Sequence, residues 1–399
     1  MSGRVMAKAI IAREPVEPLA INLSLEDVAV HPPGDDEILV DMRASGICHT
    51  DLVLCSVPRG SIGINYPKVP GHEGSGIVRA IGKSVKSVEV GDPVLLSFHS
   101  CSSCFQCQDS HPAYCETFAQ QNYLGCQGSM TVQKTGEVVW SRFFGQSSFA
   151  QVSVVSEASV VNARELLHQA HELDLFAPLG CGFQTGMGAV QNIACAGPND
   201  VVMILGLGAV GLGALMTAKI RGCKAIIAVD RVKARIELAK SLGATHTLDT
   251  SSADFTSLDE AIKLIIPAGV SVVIETTGHP AIFERGLRCT HARGKVVFIG
   301  IPPLGYQFSF DLSEHINHGR SILGCIEGDC IPQKAIPQMI QWYREGRFPI
   351  DRIVHYFKSI WGLRKIVRVD RQILLIHSSG SEYLHYLELN WCRLPYSKS

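Results

Sequence analysis

The sequence has almost no net charge: 36 Lys and Arg stand against 37 Asp and Glu, a formal balance of -1. Nothing electrostatic therefore favours nucleic acid as a partner, since phosphate binding needs a concentrated excess of basic side chains. It also lacks an unbroken apolar run long enough for a membrane. Val201 to Ala218 runs 18 residues without a charge, but four glycines interrupt it and only Val201 to Leu205 is continuously aliphatic. A buried strand entering a glycine-rich turn fits that pattern better than a spanning helix. The N-terminal MSGRVMAKAIIAREPVEP shows no apolar core followed by a small-residue cleavage site, so a reducing, cytoplasmic setting is expected. There is no tandem repeat and no low-complexity segment, and 46% hydrophobic residues exclude wholesale disorder.

What is present in excess is cysteine, 14 in 399 residues. Thiols at that density mean disulfides, metal or reactive sulfur, and in a reducing compartment clustered thiols more often hold metal than pair. At ~100–200 residues per domain, the length suggests two or three domains.

The pattern changes along the chain. Residues 1–180 carry short runs such as EILVDMRASG, SGIVRAIG and DPVLLSF, which read as strands and turns of a β-rich domain. Over 181–325, VVMIL, AIIAV, HTLD, SVVIET and KVVFIG are buried-type strands spaced widely enough for crossover helices, the pattern of an open parallel sheet. After residue 326 a helix-like PQKAIPQMIQWYREG leads into something less regular.

Gly206, Gly208 and Gly211 form G-x-G-x-x-G, a weak signal alone. Here it follows the strand VVMIL, opens a helix-compatible run, and is followed 19 residues past Gly211 by Asp230, at the end of AIIAVD. That context predicts a dinucleotide site, with the pyrophosphate on the helix N-terminus and Asp230 on the adenosine ribose hydroxyls. An acid there repels a 2′-phosphate and favours NAD over NADP, although the adjacent Arg231 weakens the preference.

A second cluster is Cys101-x2-Cys104-x2-Cys107-x7-Cys115. Four thiols in a turn-rich segment can converge on one Zn²⁺ as a closed structural site. Iron–sulfur ligation is the competing metal reading, but the spacing lacks the fourth cysteine–proline step of a bacterial ferredoxin run; unclustered free thiols are the plain alternative. The segment holds no Lys or Arg, so a zinc module that reads nucleic acid is disfavoured.

A third set is dispersed: Cys48-His49-Thr50-Asp51, then Gly71-His72-Glu73, then Cys181 within Leu179-Gly180-Cys181-Gly182. These motifs, the four-cysteine segment and the later glycine motif occur in one order that resembles the zinc-containing medium-chain alcohol dehydrogenases, from about residue 7 to Lys358. FFGQSSFA, GCGFQTGMGAV, IGIPPLG and GCIEGDCIPQ are similar to its aryl (benzyl) alcohol dehydrogenase branch. The resemblance implies a GroES-like catalytic domain over 1–180 with both zinc sites, a doubly wound Rossmann domain over 181–325 and a return to the catalytic domain over 326–358.

It further implies that Cys48, His72 and Cys181 bind a catalytic zinc, a two-cysteine, one-histidine ligation that is the stock example for this family. Asp51 would orient His72, with Glu73 just behind the ligands. Thr50 would bond the substrate oxygen and pass its proton to the nicotinamide ribose, and His49 would lie over the cofactor pyrophosphate. The implied reaction is reversible oxidation of a primary, aromatic or allylic, alcohol by NAD, in a dimer or tetramer. The alternatives are a glutathione-dependent formaldehyde dehydrogenase-like activity, which needs basic residues in the cleft that the sequence does not reveal, and a non-catalytic zinc-bound scaffold.

Two departures stand out. Many members carry a histidine three residues after Thr50 to relay the proton to solvent, where this chain has Val53. The last 41 residues, SIWGLRKIVRVDRQILLIHSSGSEYLHYLELNWCRLPYSKS, do not resemble the family's closing helix and strand and hold two of the four Trp and three of the nine Tyr. A retained intron or shifted frame in the gene accounts for such a tail. Tryptic peptides from Trp361 to Arg393 in the native protein would exclude that explanation.

Overall fold

The computed structural model describes residues 3–17 and 20–357 and the backbone of 374–377; most of the 359–399 tail lies outside the described residues. Two kinds of sheet make up the molecule. One is a six-stranded parallel sheet in the order His246–Asp249, Ala225–Asp230, Val201–Leu205, Val270–Glu275, Thr290–Phe298, Ser321–Gly324. In chain order that is 3-2-1-4-5-6, the doubly wound arrangement in which the order reverses between Val201–Leu205 and Val270–Glu275 and leaves a crevice at the strands' C-terminal ends. The strands are apolar on both faces because helices cover both: Val202 and Ile204 bury into one core with Phe183 and Leu215, while Val201, Met203 and Leu205 bury into another with Leu258 and Ile262. The sixth strand, Ser321–Gly324, is an edge strand of four half-buried to exposed residues that the sequence pattern did not reveal. Among the described residues, no helix is long and apolar enough to cross a membrane; the uncharged run at Val201–Ala218 is a strand, a turn and part of the helix Ala209–Ile220.

The other body is β-rich. Val5–Arg13, Asn22–Val30 and Met130–Val132 form a small antiparallel sheet. A larger sheet centres on Glu37–Ile47, paired antiparallel with Gly74–Ile81 and with Val152–Ser156. The helix Pro332–Arg344 lies in the same core as Val161, Leu173, Phe176 and Leu179, and Arg344 pairs with Glu172 at its end. The same core also takes in Val202, Ile204 and Leu215 of the parallel-sheet body.

Four residues of the tail are described. Leu374–His377 is a strand, parallel to His355–Phe357 and antiparallel to Ala44–Ile47, with Leu374 opposite Ile47. Leu374–His377 extends the sheet edge beside the strand that leads into Cys48.

Candidate active site

Cys48 is the residue between the strand Glu37–Ile47 and the short helix His49–Leu54, which places Thr50 and Asp51 one turn further on. Asp51 is buried and ties three pieces of chain together. Its Oδ2 accepts from the Cys48 amide at 3.0 Å, and its Oδ1 accepts from the Gly71 amide at 3.0 Å and lies 2.9 Å from His72 Nδ1. With Nδ1 engaged, the other ring nitrogen, Nε2, is buried without a hydrogen-bond partner. Cys181 precedes the helix Gly182–Gly188, and its Sγ lies 4.0 Å from Cys48 Sγ. The ligand atoms of Cys48, His72, Glu73 and Cys181 all lie within 4.8 Å of one another. Burial differs across the set: His72 and Cys181 are buried and Cys48 is half-buried, so the cluster has one accessible side.

The electrostatics of this cluster call for a cation. A hydrogen bond from Cys181 holds the Cys48 thiol well below its ordinary range, while the same contact and burial push Cys181 well above it. Burial opposes charge on His72, but Asp51 and Cys48 outweigh it and raise the imidazole. Burial pushes the Glu73 carboxyl well up, and one of its oxygens has no partner. Two thiols, an imidazole aimed inward by an acid and a bare Nε2 are the donor set of a site for Zn²⁺ with three protein ligands and an open position.

The four-cysteine set also converges. Sγ atoms of Cys101 and Cys107 are 3.9 Å apart and those of Cys104 and Cys115 are 4.0 Å apart, and all four lie within 4.8 Å. Backbone amides aim at the sulfurs, Cys104 N on Cys101 at 3.3 Å and Cys101 N on Cys115 at 3.4 Å. Hydrogen bonds from Ser103 draw the Cys101 thiol down to about 6, whereas burial lifts Cys107 to about 12. The thirteen described cysteines form no disulfide, and the convergence of these four sulfurs argues against the unclustered-thiol alternative.

At the crevice, each glycine of the motif has a different physical job. Gly206 has φ +91°, and a Cβ there would meet Thr276 Oγ1 at 2.6 Å. A Cβ on Gly211 would lie 1.9 Å from Gly206 O, so only glycine lets the helix approach the turn. Gly208 precedes the helix Ala209–Ile220, and a Cβ on it would meet nothing within 4 Å, so the helix N-terminus is open to a phosphate. Asp230 sits at the end of its strand, but it is already engaged. Its Oδ2 accepts from Leu207 N at 2.7 Å and its Oδ1 from Arg231 N and Val232 N, so it stiffens the turn as well as leaving lone pairs for a ribose.

The structure adds residues that no motif revealed. Arg142, just before FFGQSSFA, and Phe144 and Ser147 within it all have φ near +50°, a strained stretch of the kind that collects at functional sites. The strain presents Phe144 to His72, rings stacked with centroids 4.6 Å apart, with Phe143 edge-on at 5.7 Å. Tyr123 and Phe118 pack against Phe144 in turn, and Lys68 holds that wall by donating to Tyr123 O and Leu124 O at 2.7 Å. Gln146 donates to His72 O at 2.8 Å and accepts from Gly74 N at 2.9 Å, bracketing His72 and Glu73. Glu327, buried, contacts Cys181, and burial pushes its carboxyl up to about 7. His49 is exposed on its helix and Val53 half-buried beyond it.

The comparisons with known proteins agree with this geometry. Residues 34–165 match the alcohol dehydrogenase GroES-like domain and residues 209–345 the zinc-binding dehydrogenase domain. Over 357 residues the chain is 36% identical to geraniol dehydrogenase of Castellaniella defragrans, covering 89% of this chain and 92% of that one. It belongs to the zinc-binding alcohol dehydrogenases. Among solved structures, benzyl alcohol dehydrogenase of Acinetobacter calcoaceticus matches with a TM-score of 0.83 at 35% identity, over 94% of this chain and 100% of that one. An alcohol dehydrogenase zinc-binding domain protein of Burkholderia ambifaria matches with 0.85 at 35%, over 94% and 99%. As a zinc-binding alcohol dehydrogenase the chain is an oxidoreductase with a small-molecule alcohol substrate, zinc and, as is typical of the family, NAD.

Proposed function

We propose that the enzyme interconverts primary allylic or aromatic alcohols and their aldehydes, with residues 1–180 and 326–358 as the catalytic unit and 181–325 binding NAD in preference to NADP. The observation that carries this is the unpartnered Nε2 of His72, aimed by Asp51 toward two thiols and roofed by Phe144. Cys48, His72 and Cys181 would hold Zn²⁺, which when bound polarises an alcohol oxygen and lowers its pKa; NAD at the glycine turn supplies the hydride acceptor.

The chain's own residues do the rest. Asp51 fixes the His72 tautomer. Thr50 takes the alcohol proton at its Oγ1. The buried Phe118 and Phe144 exclude water and back the half-buried Tyr123, which would accept a flat or unsaturated substrate by stacking, worth about 0.5–1.5 kcal/mol beyond area for an aromatic pair. His49, Gly206, Gly208, Gly211 and Asp230 hold the dinucleotide, while Cys101, Cys104, Cys107 and Cys115 hold a second, structural zinc. We infer a homo-oligomer and a cytoplasmic setting, the latter supported by the unpaired thiols.

The test is a panel of geraniol, benzyl alcohol, ethanol and S-hydroxymethylglutathione, each with NAD and with NADP. The proposal expects the first two with NAD to give the highest kcat/KM; preference for the glutathione adduct would overturn it. Phe144→Ala is expected to raise KM for benzyl alcohol by roughly tenfold, in the range that a lost apolar contact carries, with a much smaller effect on ethanol. A uniform loss on both substrates would show that Phe144 only supports His72. Val53→His is expected to raise the oxidation rate severalfold at neutral pH by giving Thr50 a relay to solvent. An unchanged pH–rate profile would mean that proton exit is not limiting.

A further inference from the structure

Glu327, within GCIEGDCIPQ, is a buried carboxyl to which the proposed reaction gives no role. It lies in a loop where Glu327, Gly328 and Asp329 take φ of 49°, 67° and 49° in succession, a strained run that persists only where its neighbours over-determine it. Those neighbours are identifiable. A Cβ on Gly328 would lie 2.6 Å from Gln184 O, so the loop meets the helix Gly182–Gly188 backbone to backbone. Asn192 Nδ2 donates to Gly328 O at 3.0 Å and to Asp329 O at 3.1 Å.

On one side the loop reaches the catalytic cluster. Glu327 Oε1 is 3.9 Å from Cys181 Sγ, and its Oε2 accepts from Gln184 Nε2 at 2.9 Å. The same Gln184 nitrogen donates to Gly180 O at 2.8 Å and to Ser97 Oγ at 2.8 Å, so this bond braces the backbone on both sides of Cys181. On its other side the loop meets the four-cysteine segment. Asp329 Oδ2 is 2.7 Å from His111 Nδ1, and the Tyr114 hydroxyl donates to Gly324 O at 3.1 Å. His111 and Tyr114 both lie between Cys107 and Cys115.

We propose that Glu327 is a positioning residue for Cys181, and that the loop 324–330 is the strut through which the four-cysteine lobe keeps the catalytic cluster in shape. This rests on the reading of Cys48, His72 and Cys181 as a zinc site. Outer partners of metal ligands are worth about 10–100-fold in metal affinity when removed, and Glu327 is such a partner supplied from the far side of the site.

The experiment uses the full-length enzyme and begins by counting zinc in the wild type. Zinc release to a chelator and the absorption spectrum of the Co²⁺-substituted protein are then followed for Glu327→Ala, Glu327→Gln and His111→Ala. Glu327→Ala should lose the metal of the catalytic cluster about tenfold faster, with a shifted cobalt spectrum and a fall in kcat larger than the change in KM. Glu327→Gln, which keeps an oxygen for Gln184 Nε2, should recover most of this. His111→Ala, at a half-exposed position that folding tolerates, should move release and spectrum in the same direction by a smaller factor. Wild-type release and spectrum in Glu327→Ala would overturn the proposal, and so would a Glu327→Gln variant no better than alanine. His111→Ala indistinguishable from wild type would remove the strut. A wild type that binds zinc only at the four cysteines would defeat the underlying site reading instead, and the initial count separates that failure from the others.

Discussion

His72→Ala is expected to reduce zinc from about two per chain, one for each convergent cluster, to about one, and to lower kcat/KM for alcohol oxidation by roughly a thousandfold or more, equivalent to about 4 kcal/mol of transition-state stabilisation. The two remaining thiols, 4.0 Å apart, repel as thiolates and in the absence of a cation share a proton. Removing the imidazole takes away a neutral donor that balances them, and leaves the buried Asp51 carboxylate without the ring it faces. The fold should survive, because Asp51 still receives the amides of Cys48 and Gly71. A cavity of imidazole size costs about 2–4 kcal/mol, which a melting curve will register as a modest shift. Two zinc ions and near-normal turnover in this variant would refute the assignment of His72.

Cys104→Ser should give the opposite pattern, a stability defect first and an activity defect only as its consequence. A closed zinc site contributes folding energy directly; besides it, the segment 101–115 is held by the contacts of His111 and Tyr114 to residues 324–329 and by the buried Ala113. Phe105 is exposed, and its helix, Phe105–Gln108, is only four residues long. Losing one of four thiolates is expected to cost about 5 kcal/mol or more, a large part of the ~5–15 kcal/mol that stabilises a typical domain. Differential scanning calorimetry should find the melting temperature down by roughly 10 °C or more, and added Zn²⁺ should not restore it. A variant that melts with the wild type would show that the four sulfurs do not share a metal.

Much of this was legible in the sequence for a physical reason: the readable parts are local. The glycine turn, the strand before it and Asp230 after it form one βαβ unit, so spacing alone locates them. The four cysteines lie within 15 residues, Cys101 to Cys115, and their convergence needs only local turns. Cys48, His72 and Cys181 are 133 residues apart from end to end and meet through sheet pairing, which no periodicity encodes; resemblance assembled them. Phe144, Gln146, Lys68 and Glu327 stayed hidden because their roles depend on where a strained loop points. Phe144 reads as an ordinary core aromatic until its positive φ and its stacking on His72 are seen. The tail strand Leu374–His377 was missed because register with Ala44–Ile47 is a property of the sheet edge and not of the segment.

Glycine also governs how the two halves of the active site meet. The helix that begins after Cys181 lies on the nucleotide-binding helix with no side chain between them: a Cβ on Gly186 would fall 2.0 Å from Val210 O, and one on Gly213 would fall 3.0 Å from Phe183 O. The spacing between the sulfur of Cys181, proposed as a metal ligand, and the glycine turn proposed to hold the cofactor is thus fixed by main chain, which does not change rotamer. On the proposed reading, the hydride donor and acceptor would be held by a ruler whose length is insensitive to drift elsewhere in the core. Substitutions in the proposed substrate wall of this chain would therefore reshape the pocket without altering the distance over which hydride would move.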